Sequence, residues 1–482
     1  MERTEAEAIY DAGRERTVEA LLDLARQLGG FENRLARVEG ERPASSLNSS
    51  AAPSADVPLT RQQRRALARA KAKELLKDKK PRKQGAQSGH RGVGRELLPA
   101  EEIDEVVDHY PVECRGCGHE FAEAERVPRA GAGRHQVAEL PPIAVTYTEH
   151  RTHRLRCPGC KQRTRAVLGV LGESAFGPRL QAAIVALTAR NRISRRDASE
   201  LAADLFQVGI STGAVDAVCQ RASGLLAGPH QQLVAHVLAS GAINVDETGW
   251  FLKGENRTMW TAATPDAAIF RICEDRHRDR LNDLIGPDYT GIVTSDRWWA
   301  YNILDNEQRQ ACWSHLLRDF CRHSEGLTHQ KEFGEAGLAL TGRLFDAWQA
   351  HTDHQDRDRL AQDIEPVKTE LQALLTAAVD GRARNRWHRG LANNLLKIWP
   401  ALWTFVTTKG VTPTNNAAER ALRGPVITRR LSYGNQSKDG ERFIERALSA
   451  SVTCRLQDRS IYDYIARLFT AHQHGRALPV LI

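Results

Sequence analysis

The chain has 482 residues, 41% of them hydrophobic, which is long enough for several domains and apolar enough to build cores. No apolar run approaches the ~18 residues of a membrane span, and Met1 to Ala20 is charged throughout, so a cytoplasmic protein is expected. The net charge of +8 is concentrated between Arg61 and Arg95, where 13 basic residues face two acids, Glu74 and Asp78.

Residues 1–44 are expected to form a helix. Leu21, Leu24, Leu28, Phe31, Leu35 and Val38 follow 3,4,3,4,3 spacing, a short coiled-coil seam that could dimerise the chain or fold back on its body. Residues 45–100 join a Ser/Ala/Pro-rich linker to the basic arm, where Lys79, Lys80, Arg82 and Lys83 are candidate DNA contacts. A basic arm fits a polyanion; the plainer alternative is a solvated linker.

Residues 101–172 carry two of the cysteine pairs, Cys114-Arg-Gly-Cys117 and Cys157-Pro-Gly-Cys160. Each has the knuckle spacing that lets two thiolates bind one tetrahedral Zn²⁺. A structural Zn²⁺ is expected, because four Cys leave no open coordination position; four buried thiols or a redox pair is the alternative. Strands are expected to feed the knuckles, one through Val106 and Val107 and one through the alternating stretch from Ala144 to Arg151.

Residues 173–236 read as helices, Arg179 to Ala189, Arg195 to Phe206 and Thr212 to Ala222, with a turn at Gly209 before the third. That is the outline of a helix-turn-helix whose third helix would read DNA, although any helical bundle can produce it. Over 237–324 the period changes to strands: Ile243 to Leu252, Thr258 to Thr264 and Ala268 to Cys273. A helix from Arg278 to Ile285 and a buried strand ending at Asp296 follow. This is the opening order of a ribonuclease-H-like α/β fold. Residues 325–410 predict an all-helical insertion, with seams at Leu360, Ile364, Val367, Leu371 and Leu374 and at Leu391, Leu395, Trp399, Leu402 and Val406. The core resumes in helices over 411–470, and 471–482 are a tail.

Asp246 and Asp296 each end an apolar, β-branched run, where a carboxylate needs a cation or hydrogen-bond donors. On neighbouring strands they could converge on Mg²⁺ or Mn²⁺, and two ions about 4 Å apart can activate an attacking hydroxyl and stabilise the leaving oxygen. Each could instead simply start a turn. Glu247 should face away from Asp246 and be structural. Asn416-Ala-Ala-Glu419 fits a capping box as well as a ligand position, and Arg423, four residues on, could pair with Glu419 or with a phosphate. His315 and Arg318, three apart, could reach a phosphate or be a buried His beside a solvated Arg.

Thr414-Asn-Asn-Ala-Ala-Glu-Arg-Ala-Leu-Arg423, Arg429-Arg-Leu-Ser-Tyr-Gly-Asn-Gln-Ser, Val245-Asp-Glu-Thr-Gly-Trp, Cys312-Trp-Ser-His-Leu-Leu-Arg318 and Gly85-Ala-Gln-Ser-Gly-His-Arg-Gly together resemble the large transposase of the insertion-sequence-66 type, a bacterial DDE family. The similarity runs from the N-terminal zipper to about residue 470. Ser88 and Ala86 depart from the family pattern, as does the proline at Pro425, and none of these is a carboxylate. The resemblance implies catalytic and metal-binding roles for Asp246, Asp296 and Glu419 with two Mg²⁺ or Mn²⁺ ions, and DNA contacts by Arg318, His315, Arg423 and Arg420. It also implies a homodimer or higher oligomer, accessory proteins of the same element, and association with the nucleoid.

The expected fold is multidomain α+β: a ribonuclease-H-like catalytic core interrupted by an all-helical insertion and preceded by a coiled coil, a zinc-ribbon-like module and a helix-turn-helix. The expected function is DNA transposition by strand cleavage and 3′-hydroxyl strand transfer. The alternatives are a non-catalytic DNA-binding regulator derived from a transposase and a hydrolytic nuclease of the same fold.

Overall fold

The computed structural model describes residues 97–127, 133–141, 143, 145–326, 328–380 and 386–482. The expected coiled coil and the arm with Lys79, Lys80, Arg82 and Lys83 lie outside the described residues. The described chain divides after Thr146 into two units.

The unit ending at Thr146 is built from turns. Short 3₁₀ turns span Ala100–Glu102 and Glu123–Glu125, and a single antiparallel bridge joins Glu113 to Glu120. The strand expected through Val106 and Val107 is not formed. These side chains are 76% and 61% exposed and meet no apolar face. The alternating stretch before the second knuckle is also irregular from Val145 to His153. Alternation alone does not make a strand, because its N–H and C=O groups need a paired neighbour.

In the unit from Tyr147 onward, Arg154–Arg156 (β1) does find such a neighbour, Arg163–Arg165 (β2), across the second knuckle. Pro178–Val185 (α1) opens with proline at its first position, where no N–H is needed. Arg195–Phe206 (α2) and Thr212–Leu225 (α3) start where Ser194 and Ser211 accept backbone N–H groups of their first turns. Ala227–Leu238 (α4) completes the helical layer. α3 buries Val215, Val218, Cys219 and Ala222 at helical spacing.

The main sheet has five strands: Ala242–Leu252 (β3), Glu255–Ala263 (β4), Ala268–Cys273 (β5), Ile292–Ser295 (β6) and Arg309–Ala311 (β7). Their spatial order is β5-β4-β3-β6-β7. β3, β4 and β5 form an antiparallel meander, Asp279–Ile285 (α5) crosses over, and β6 and β7 run parallel to β3 and to each other.

Trp313–Ser324 (α6), Thr328–His354 (α7), Arg357–Asp380 (α8), Arg386–Lys397 (α9) and Thr404–Thr407 (α10) form a helical segment with its own buried cluster. α6 and α7 meet closely, since a Cβ at Gly337 would run into the ring of Phe320. On α8 the buried seam is Leu360, Ile364, Val367 and Leu371, completed by Leu375 rather than Leu374. The second seam is not one helix. Pro400 interrupts it, lacking the N–H a continuous ladder needs, so Leu402 and Val406 are buried from separate short turns.

Asn416–Ser432 (α11), Lys438–Leu456 (α12) and Ile461–Gln473 (α13) close the unit. α12 covers the edge strand β5. Glu445, Ser449 and Thr453 accept the N–H groups of Ile272, Phe270 and Ala268 at 2.6, 3.0 and 3.1 Å. Four helical residues rise ~6 Å and two strand residues ~6.6 Å, so the helix side chains match the strand repeat. The edge that could recruit a foreign strand is thereby satisfied internally.

Candidate active site

Two strands carry the two aspartates, and their parallel register sets them level. Ala242, Ile243 and Asn244 pair with Ile292, Val293 and Thr294, so two residues further on Asp246 stands beside Asp296. α11 brings the third acid. Asn415 Nδ2 donates to Val245 O at 2.8 Å, Arg429 donates to Gly249 O at 2.7 Å, and Trp250 Nε1 donates to Asn435 Oδ1 at 2.7 Å. These ties strap the helix along β3 and hold its first turn, with Glu419, at the level of Asp246. Asn415, Arg429 and Asn435 all lie in the motif segments noted above, and their work here is to position the helix.

The capping alternative for Glu419 is not realised. Asn415 is the N-cap residue, and no side chain bonds back to the first turn. Glu419 Oε1 instead accepts Arg318 NH2 at 3.0 Å and lies 3.5 Å from His315 Nδ1. Its partner is therefore Arg318, not Arg423. Burial, reinforced by Arg318 and Arg297, pulls the His315 pKa down to about 3, so the ring is neutral. Arg318 NH2 lies 3.3 Å from His315 Nε2. Since a guanidinium can only donate, that network assigns the proton to Nδ1, facing Glu419.

Asp246 accepts one hydrogen bond, from the Glu247 amide at 3.0 Å, and has no ion-pair partner among the described residues. Burial pushes its pKa well above the usual carboxylate range, and the charges of Glu247, Asp296 and Glu419 push it further. Asp296 accepts the Trp298 amide at 2.8 Å. Burial raises its pKa too, against the pull of that amide and of Arg276, Arg297 and Arg309. Glu247 turns to the other side, as its place on the strand requires. It is bonded to Arg276 and to the Tyr301 hydroxyl, with its pKa pushed up to about 7 by burial.

A tighter group also forms. Ligand atoms of Cys312, His315 and Glu419 lie within 4.8 Å of one another, a set able to hold a metal ion. Cys312 Sγ accepts the Asn415 amide at 3.1 Å, and burial raises its thiol pKa to about 11. As they stand, the thiol and the imidazole are neutral, and the Arg318 guanidinium clamps Glu419.

The remaining candidates fall in three places. Arg420 and Arg423 are exposed on α11, with no ion-pair partner among the described residues. The outward face of α3 presents Thr212, Gly213, Asp216 and Ala217, with no basic side chain among these positions. Cys114 and Cys117 lie in the unit ending at Thr146, Cys157 and Cys160 in the other. Both pairs form the same turn. Cys114 N donates to His119 O at 2.8 Å and Gly118 N to Cys114 O at 2.8 Å; Cys157 N donates to Gln162 O at 2.7 Å and Lys161 N to Cys157 O at 2.9 Å. Backbone hydrogen bonds within each turn lower the pKa of Cys114 and of Cys157, favouring the thiolate a metal would need.

Residues 173–442 match the model of the transposase IS66 family. The chain belongs to that family. The matched span contains Asp246, Asp296, Arg318 and Glu419. An uncharacterized protein of Sinorhizobium fredii, y4hP, is 22% identical over 411 residues, which cover 76% of this chain and 72% of that one. Membership places the protein among transposases, enzymes that act on DNA. No helix among the described residues is long and apolar enough to cross a membrane.

Proposed function

We propose that the chain cuts and joins DNA strands with two Mg²⁺ or Mn²⁺ ions held by Asp246, Asp296 and Glu419 on a ribonuclease-H-like core. The sheet order β5-β4-β3-β6-β7, with its antiparallel first three strands and parallel last two, supports that core. One observation carries the metal reading: Asp246 is a half-buried carboxylate beside two others, with a single amide donor and no cation among the described residues. Such a group is costly unless a cation completes it, and three carboxylate oxygens are the hard donors that Mg²⁺ and Mn²⁺ prefer. Ligands of two ions about 4 Å apart need not meet within the reach of one ion.

When bound, the ions would polarise the attacking water or 3′-hydroxyl and take up charge on the leaving oxygen. The protein's own groups set the geometry. The Trp298 amide orients Asp296, and Arg318 orients Glu419. Arg420 and Arg423 extend from the same helix toward solvent as phosphate contacts, with the basic arm as a second. Arg420→Ala combined with Arg423→Ala should lower the slope of log affinity against log salt by about two, with equal loss on unrelated duplexes. An unchanged slope would remove both from the interface.

The two Cys-x-x-Cys turns are proposed as zinc-binding knuckles with a structural role. Cys114→Ser with Cys117→Ser should release close to one equivalent of zinc and cost on the order of several kcal/mol of stability. Purified wild-type chain without zinc by metal analysis would end that assignment.

The domain divisions expected from sequence stand as part of the same proposal, as do oligomerisation and accessory partners. Joining of a labelled 3′ end to a plasmid in the presence of Mn²⁺ tests the whole. Cutting without joined product would indicate a nuclease, and binding without cutting a regulator.

A further inference from the structure

Beside the three acids, one side chain is left uncommitted. Trp299 is 52% exposed, the only exposed tryptophan among the residues whose side chains are described. Single exposed apolar side chains are ordinary, but this one has a special placement. It lies three residues after Asp296, a span of at most ~10 Å along the chain. The segment that carries it is pinned to Asp296 by the Trp298 amide at 2.8 Å. Trp298 in turn is packed on the core and lies under the Arg276 guanidinium, 3.8 Å from its ring centre. The platform is therefore rigid up to the residue before Trp299.

The rings nearest Trp299 do not stack on it. Trp298 meets it at 5.3 Å with planes 63° apart, and His277 at 6.0 Å with planes 73° apart. Its surroundings are polar rather than a continuous apolar patch. His277, 51% exposed, is paired with Asp279, as is the next residue Arg278, and Ile303 ends the same short turn that Trp299 begins. A protein partner usually buries a larger apolar area than that. A flat, half-exposed indole in a polar setting matches the way proteins hold unpaired nucleobases.

We propose that Trp299 stacks on an unpaired DNA base within about three nucleotides of the phosphate at Asp296, taking the base-step rise as ~3.4 Å. The inference rests on the DNA-acting reading above. Stacking there would hold a strand end open and in register with the carboxylates while phosphate contacts come from elsewhere.

The test is binding of the full chain, with EDTA present so that no strand is cut, to a thymidylate 20-mer and to an abasic 20-mer of equal length. Wild type should prefer the base-bearing oligomer. Trp299→Ala should lose about tenfold on it, the size of one stacked base, and nothing on the abasic one. Trp299→Phe should recover most of the loss, and melting temperatures should stay unchanged because the indole is half exposed. Equal loss on both oligomers, or loss on neither, overturns the proposal while leaving metal-dependent joining untouched. A shift in self-association without change in the base preference overturns it in favour of a protein interface. A chain that binds neither oligomer overturns this inference and the DNA-acting reading together.

Discussion

Asp246→Asn is expected to abolish metal-dependent strand transfer, by on the order of 10³-fold or more, because a lost ligand removes several kcal/mol of charge stabilisation. DNA binding should be retained. The same substitution should stabilise the metal-free fold. Asp246 is a half-buried acid among like charges; an amide keeps the acceptor for the Glu247 N–H, supplies donors toward its neighbours, and carries no charge. The pH dependence has a definite sign. A carboxyl whose pKa is higher folded than unfolded binds more protons in the folded state, so stability is greatest at low pH and falls as pH rises between the two values. For Glu247 that interval runs from 4.5 to about 7, and for Asp246 it starts at 3.8 and runs upward. Asp246 and Glu247 therefore take stability away from the metal-free wild type from about pH 4 to neutrality, against the opposite slope of the buried His230, His315 and His323, and Asp246→Asn should remove the Asp246 share. Mn²⁺ should restore the wild type at neutral pH by binding the folded state alone, and should do little for the variant. Melting curves with and without Mn²⁺ across that range read all of this. Retained joining, or a metal-free variant that melts below wild type, would contradict the assignment.

The strands carrying the aspartates were legible because their signal is local. Ala268–Cys273 and the α2 span were read to the residue, and the β3 span nearly so, since β-branched runs and helical spacing act within a few positions. The failures share a different cause. The stretch before Cys157 alternates well but finds no strand to pair with, and Pro400 outweighs a helical seam that runs through it. Helices α2 and α3 were also readable, yet only three-dimensional packing reveals that the exposed positions of α3 include Asp216 and no basic side chain. Around the site, Glu247 could be placed on the far side from strand geometry. Its partners Arg276 and Tyr301 lie 29 and 54 residues away and carried no local mark. The clamp on Glu419 is of the same kind: Arg318 is 101 residues distant in sequence.

That clamp decides what Glu419→Gln should do. From sequence alone a capping bond and a ligand role explained this residue equally well, and they predict opposite results. A cap worth about 1 kcal/mol would be lost with catalysis intact. In the folded chain no cap is made, so the helix start has nothing to lose. Gln keeps an oxygen for Arg318 while exchanging a charge-assisted hydrogen bond for a neutral one, a cost of about 1 kcal/mol at a partly exposed pair. Joining should fall to the level of Asp246→Asn, because an amide is a poor ligand for a hard divalent ion. Stability and DNA affinity should stay close to wild type. Measuring melting temperature, end binding and joining on one preparation separates the two roles. A variant that joins normally but melts several degrees lower would return Glu419 to the helix and leave the two aspartates to find another partner.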